Sequence, residues 1–155
     1  MFKKIVFLGS DHGGFNLKEG IKKELEYKNI KFYDLGTFNT DSVNYVDYAK
    51  LVAEEVSKNN TYGVLCCSSG IGVSIVANKI PGIRAALCTS EFHAEFSRRH
   101  NNANIICFGQ KITSLDDSIK MLNIFLNTEF DGGRHQIRVD SISEIEKNYI
   151  LRENV

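Results

Sequence analysis

Five times along this chain a short, β-rich apolar run is followed by a segment of helical period, and that alternation leaves few folds open. Residues 4–9, 30–35, 63–67, 83–88 and 103–108 read as strands, most of them ending near Gly, Ser or Cys. Between them, Leu17, Ile21 and Leu25 recur every fourth residue, and Ala49, Val52, Ala53 and Val56 form one stripe. Helices are also predicted near 72–79 and over 91–99, through Leu115, Ile119, Leu122 and Leu126, and at the end through Ile142, Ile145, Tyr149 and Ile150. Right-handed βα crossovers allow little but a parallel sheet covered by helices on both faces. The expected fold is therefore α/β: a Rossmann-like, doubly wound five-stranded parallel sheet of order 2-1-3-4-5 with a C-terminal helix, in one domain spanning residues 1–155. In that order a ligand sits beyond the carboxyl ends of strands 1 and 3, where the winding reverses.

Those two ends carry the most unusual residues of the chain, Ser10-Asp11-His12-Gly13-Gly14 and Cys67-Ser68-Ser69-Gly70-Ile71-Gly72. In the second, glycines let backbone N–H groups approach a ligand, and a helix start offers unpaired N–H groups to an anion. By itself the stretch reads first as a glycine turn behind a buried cysteine. It is not a cysteine-phosphatase loop, since Val73 stands where Arg is required. Ile75 replaces the third glycine of a dinucleotide fingerprint, and no Gly-Lys-Ser/Thr marks a Walker loop. Asp11 can handle a proton on a sugar oxygen and His12 can donate to phosphate, although a helix cap beside a chance histidine explains them as well.

Charge narrows the partners. Nineteen basic and nineteen acidic residues cancel, so no global field draws the chain to nucleic acid or anionic lipid. The apolar run 5–8 is too short for a membrane span, and a cytoplasmic protein without membrane or nucleic-acid partners is expected. The four cysteines form no C-x-x-C pair and are expected to remain thiols. Glu91, His93 and Glu95 do not share a helix face, and His12, His100 and His135 are expected in separate loops, so no metal set is predicted. Arg98 and Arg99 suit a helix C-terminus, whereas the imidazole of His100 is a side chain of a kind that can shuttle a proton. Arg134 and Arg138, four apart, share a face if a helix begins there, and can clamp a phosphate.

Together with Asn78-Lys79-Ile80-Pro81-Gly82-Ile83-Arg84-Ala85, His100-Asn101 and Gly132-Gly133-Arg134-His135-Gln136-Ile137-Arg138, the two clusters resemble ribose-5-phosphate isomerase type B across nearly the whole chain. The resemblance implies interconversion of ribose 5-phosphate and ribulose 5-phosphate through an enediolate, without cofactor. It implies a homodimer with shared active sites, or a tetramer built from it. By similarity, His100 opens the furanose ring with Asp11, and Cys67 moves the proton between C2 and C1. The N–H groups of Ser68, Gly70, Ile71 and Gly72 then hold the oxyanion, and Ser69 lies near the sugar hydroxyls. His12, Arg134 and Arg138 bind phosphate, with Asn101 and Lys111 among the substrate-binding residues. Some relatives use a Glu after the Gly-x-Gly as base, but Val73-Ser74-Ile75 offers no acid. Lys111 stands where Arg is common, and Val46 where Pro is common. A six-carbon sugar phosphate, or a non-catalytic sugar-phosphate-binding role, remains the alternative.

Overall fold

A computed structural model describes residues 4–152. The chain runs β1 (Ile5–Ser10), α1 (Phe15–Tyr27), β2 (Lys31–Asp34), α2 (Tyr45–Asn59), β3 (Tyr62–Cys67), α3 (Ile71–Ala77), β4 (Ala85–Leu87), α4 (Glu91–Arg99), β5 (Ile105–Gly109), α5 (Leu115–Asn127) and α6 (Arg134–Arg152). All strand pairs are parallel, in the order β2-β1-β3-β5-β4.

The doubly wound α/β class is as expected, but the last two strands exchange places. β3 pairs with β5, from Gly63↔Ile105 to Cys67↔Gly109, and β4 lies outside on β5. Burial explains the order 2-1-3-5-4. All of β5 is buried, whereas the three residues of β4 are only half-buried. A wholly apolar strand gains most where helices cover both faces, and a short, half-exposed strand is tolerated at an edge. The exchange leaves β1 beside β3, so the switch point stands.

Two apolar layers flank the sheet. On one side Ile21 and Leu25 of α1 and Leu122 and Phe125 of α5 pack on Val6 and Phe108. On the other, Val52 and Val56 of α2 and Val73 and Ala77 of α3 pack on Leu65 and Cys107. Only His135 and Val139 of α6 are buried, and Ile142, Ile145 and Tyr149 stay 40%, 58% and 63% exposed. No helix among the described residues is long and apolar enough to cross a membrane.

At the end of β2 the Asp34 carboxylate receives the ammonium groups of Lys18 and Lys22, each at 2.7 Å. Burial alone would raise its pKa, but hydrogen bonds from Lys18, Lys22 and the Gly36 N–H hold it below the ordinary carboxylate range. A depressed value means that the stabilisation is complete above about pH 4, the unfolded pKa, and is lost as pH falls through the folded one. Urea midpoints should therefore separate wild type from Asp34→Asn at neutral pH, with the gap shrinking below about pH 4. A gap unchanged down to pH 3 would rule out this linkage.

Candidate active site

At the carboxyl end of the sheet the loop after β1 lies directly on the start of the loop after β3. A Cβ at Gly14 would stand 2.3 Å from the Cys66 carbonyl carbon and 2.6 Å from the Cys67 nitrogen, so only glycine permits this approach. Gly13 faces both Ser68 Oγ and Asp11 Oδ1. Asp11 is buried, and its Oδ1 accepts the Gly14 N–H at 3.0 Å. His12 is exposed, and its Nδ1 accepts the Val43 N–H at 3.1 Å. An imidazole nitrogen that accepts carries no proton, so the ring offers Nε2–H as a donor. The third wall is the end of β5, where the Gln110 and Lys111 N–H groups bind the carbonyls of Cys67 and Ser68 at 2.8 and 3.0 Å. Asp11, His12, Cys67, Ser68, Ser69, Gly70, Ile71, Gly72 and Lys111 thus gather at one end. Tyr45, which the sequence reading passed over, lays its ring against Gly72.

Strand alternation separates the adjacent thiols: Cys66 joins the layer under α1 and α5, and Cys67 the layer under α2 and α3. Burial pushes the Cys66 thiol well up, with Cys67 adding to it, and pushes Cys88 up to about 12. Cys107 is raised in the same way, by burial and then by its thiol neighbours. These three are held as neutral thiols in the core. Cys67 stands at the strand end, 5% exposed, with its Sγ accepting the Gly70 N–H at 3.0 Å. Gly70 takes φ of +77°, which turns the chain back over the sulfur before α3 begins. The Ile71 N–H goes to Ser69 Oγ at 3.2 Å. Two of the N–H donors expected for an oxyanion are therefore engaged within the loop itself.

The remaining predicted residues gather elsewhere. His100, Asn101, Arg134 and Arg138 lie at the amino end of the strands, where α4 finishes and α6 begins. Asn104, just beyond His100, accepts the N–H of Gly63 near the start of β3, four residues from Cys67. Four residues of strand separate the two ends by roughly 13 Å. Here the expectation that His100 and His135 occupy separate places is corrected: their rings stack at 4.1 Å and 11°. Phe96 meets His100 edge-on at 4.7 Å. Asp131 accepts both bonds from Arg99 Nε at 3.2 Å, which draws the segment before α6 onto the end of α4. Donor atoms of His100, Asp131 and His135 lie within 4.8 Å of one another, a grouping with the makings of a metal site. In this arrangement the imidazoles lie face to face, so their nitrogen lone pairs run side by side rather than converging, and Arg99 engages the carboxylate. Burial, then the His100, Arg134 and Arg138 charges, push the His135 imidazole below its ordinary value, so it is neutral at neutral pH. Arg134 and Arg138 are both exposed on the first turns of α6.

Comparison with known proteins matches this arrangement to one family. The family model described as Ribose/Galactose Isomerase matches residues 6–142. Ribose-5-phosphate isomerase B of Escherichia coli is 39% identical over 146 residues, covering 94% of this chain and 97% of that protein. The solved ribose-5-phosphate isomerase B of Clostridium thermocellum superimposes with a TM-score of 0.92 at 44% identity, over 94% of this chain and 99% of that one. That of Mycoplasma genitalium, solved with bound ribulose 5-phosphate, gives a TM-score of 0.90 at 39% identity, over 95% and 99%. The strand order, the thiol at the switch point and these matches together place the chain in the ribose/galactose isomerase family.

Proposed function

We propose that this chain is an aldose–ketose isomerase that interconverts ribose 5-phosphate and ribulose 5-phosphate, with each substrate held between two copies. The observation that carries the reading is Cys67: the one thiol at the switch point, beside Asp11 and His12, with the three other thiols buried in the core. The ribulose 5-phosphate bound to the Mycoplasma genitalium relative supplies the substrate class.

The separation of the two clusters argues for shared sites. One chain holds base and loop at the carboxyl end and His100, Arg134 and Arg138 at the other, too far apart for one five-carbon substrate. A second copy, placed with its amino end over the first, completes the set. The uncovered apolar stripe of α6 suits such an assembly.

In this assembly His100 and Asp11 exchange the protons that open the furanose ring. The phosphate sits on His12 Nε2–H, Lys111 and the Arg134–Arg138 pair, whose guanidinium forks suit phosphate oxygens. Cys67 as thiolate takes the C2 proton, electrons flow to the C1 carbonyl oxygen, and an enediolate forms. Return of the proton to C1, with the O2 proton passing to O1, gives the ketose. Backbone N–H groups of the 68–72 turn not used within the loop stabilise the oxyanion, and Asn101 contacts the sugar. Ser69 Oγ, already accepting from Ile71, donates its O–H to a sugar hydroxyl.

No step requires a metal or a nucleotide. The free thiols suit a reducing cytoplasm. The test is turnover of ribose 5-phosphate against galactose 6-phosphate and allose 6-phosphate, with and without EDTA. Ribose 5-phosphate should turn over fastest and EDTA should change nothing. Preference for a six-carbon phosphate, or loss of activity in EDTA, would overturn the reading.

A further inference from the structure

Lys18 is completely buried, and lysine is almost never so without a partner. Its Nζ lies 2.7 Å from both Asp34 oxygens and 3.1 Å from Glu19 Oε1. The rings of Phe15 and Phe38 stand 5.4 and 5.6 Å away. Lys22 reaches Asp34 Oδ2 and Glu19 Oε1 at 2.7 and 2.8 Å, so two amines and two acids make a neutral cluster. Sealed in this way, Lys18 cannot touch a substrate.

Its bonds do lead to the candidate site. Asp34 Oδ1, which Lys18 grips, also accepts the Gly36 N–H at 3.0 Å. The Gly36 carbonyl accepts the Ser10 N–H, and the Ser10 carbonyl accepts the Thr37 N–H, each at 2.8 Å. Ser10 immediately precedes Asp11. The Lys18 N–H returns to the Gly14 carbonyl at 3.0 Å, which closes a ring through the 11–14 loop. Further along, Val43 donates its N–H to the His12 imidazole. The Lys18–Asp34 pair is thus tied to Ser10 on the N-terminal side of Asp11 and His12, and to Gly14 on their C-terminal side.

We propose that Lys18 is a positioning residue: through Asp34 it fixes the 36–37 strap on Ser10, and so sets Asp11 and His12 against the Cys67 turn. This rests on the isomerase reading above. Displacing a site group by about 1 Å can cost on the order of 100-fold. Lys18→Met, which keeps the length and removes the charge, should raise KM for ribose 5-phosphate by about 10-fold or more, with a smaller loss in kcat. The competitive inhibition constant of inorganic phosphate should rise by the same factor as KM. Phe125→Leu, in the layer under α5, serves as a destabilised control and should leave both constants unchanged.

A purely structural lysine would lower the melting temperature of Lys18→Met and leave KM and the phosphate constant at wild-type values, and that result overturns the proposal. If Lys18→Met does not fold, Asp34→Asn must show the same paired rise, because it retains an acceptor for Gly36 while losing the ion pair. Failure of both variants to fold would also overturn it, since a structural role would then suffice. Wild-type protein inactive on ribose 5-phosphate would overturn the isomerase reading instead, which keeps the two failures distinct.

Discussion

Replacing Cys67 with Ser should lower kcat for ribose 5-phosphate by about 1,000-fold or more, since positioned acid–base groups contribute up to about 10,000-fold. Serine keeps the shape and presents an oxygen to the Gly70 N–H that now meets the sulfur at 3.0 Å, so the turn into α3 should survive. What it lacks is an accessible anion, because an alcohol ionises far less readily near neutral pH than a thiol does. Exchange of the C2 proton of substrate with deuterated solvent, followed by NMR, should disappear along with turnover. The neighbouring Cys66 supplies the internal control: it lies in the opposite layer, fully buried, and Cys66→Ala should affect stability while leaving kcat within a few-fold. Near-wild-type exchange in Cys67→Ser would remove Cys67 as the base.

Mixing two inactive variants should restore activity. Cys67→Ser damages the carboxyl end of the sheet and His100→Ala the amino end. In a dimer with shared sites, a mixed pair gathers both lesions in one site and leaves the other intact. Random exchange makes half the dimers mixed, each with one working site of two, so recovery should approach about a quarter of wild-type activity. Subunits must be exchanged first, by mild denaturant or by co-expression. Recovery near zero after verified exchange would show that each chain works with its own residues, and the split-site assembly would fail.

The candidate site was legible where it follows strands. Asp11, His12 and Cys67–Gly72 end β1 and β3, and in a doubly wound sheet those ends are neighbours whatever happens at the edges. His100 and Arg134 also carried a positional signal. Each lies where a helix ends or begins at the amino side of the strands, the end away from Cys67. Only the family resemblance joins them to Cys67; topology assigns them to the other end. Lys18 offered another: with Ile21 and Leu25 it occupies the buried stripe of α1, where a cation demands a partner. The partner is Asp34, and no local pattern links it to Lys18 across the intervening residues.

Periodicity and glycine placement in the chain itself determined the alternating units, the parallel sheet and the loop chemistry, because these depend on residues a few positions apart. Strand alternation already sets Cys66 and Cys67 on opposite faces; tertiary structure decided which layer each joins, that β5 lies inside β4, and that His100 stacks on His135. It also brought Tyr45 against Gly72 and Lys18 against Asp34. Each of these depends on which distant segments compete for the same buried surface, and that competition is resolved only when the whole sheet is assembled.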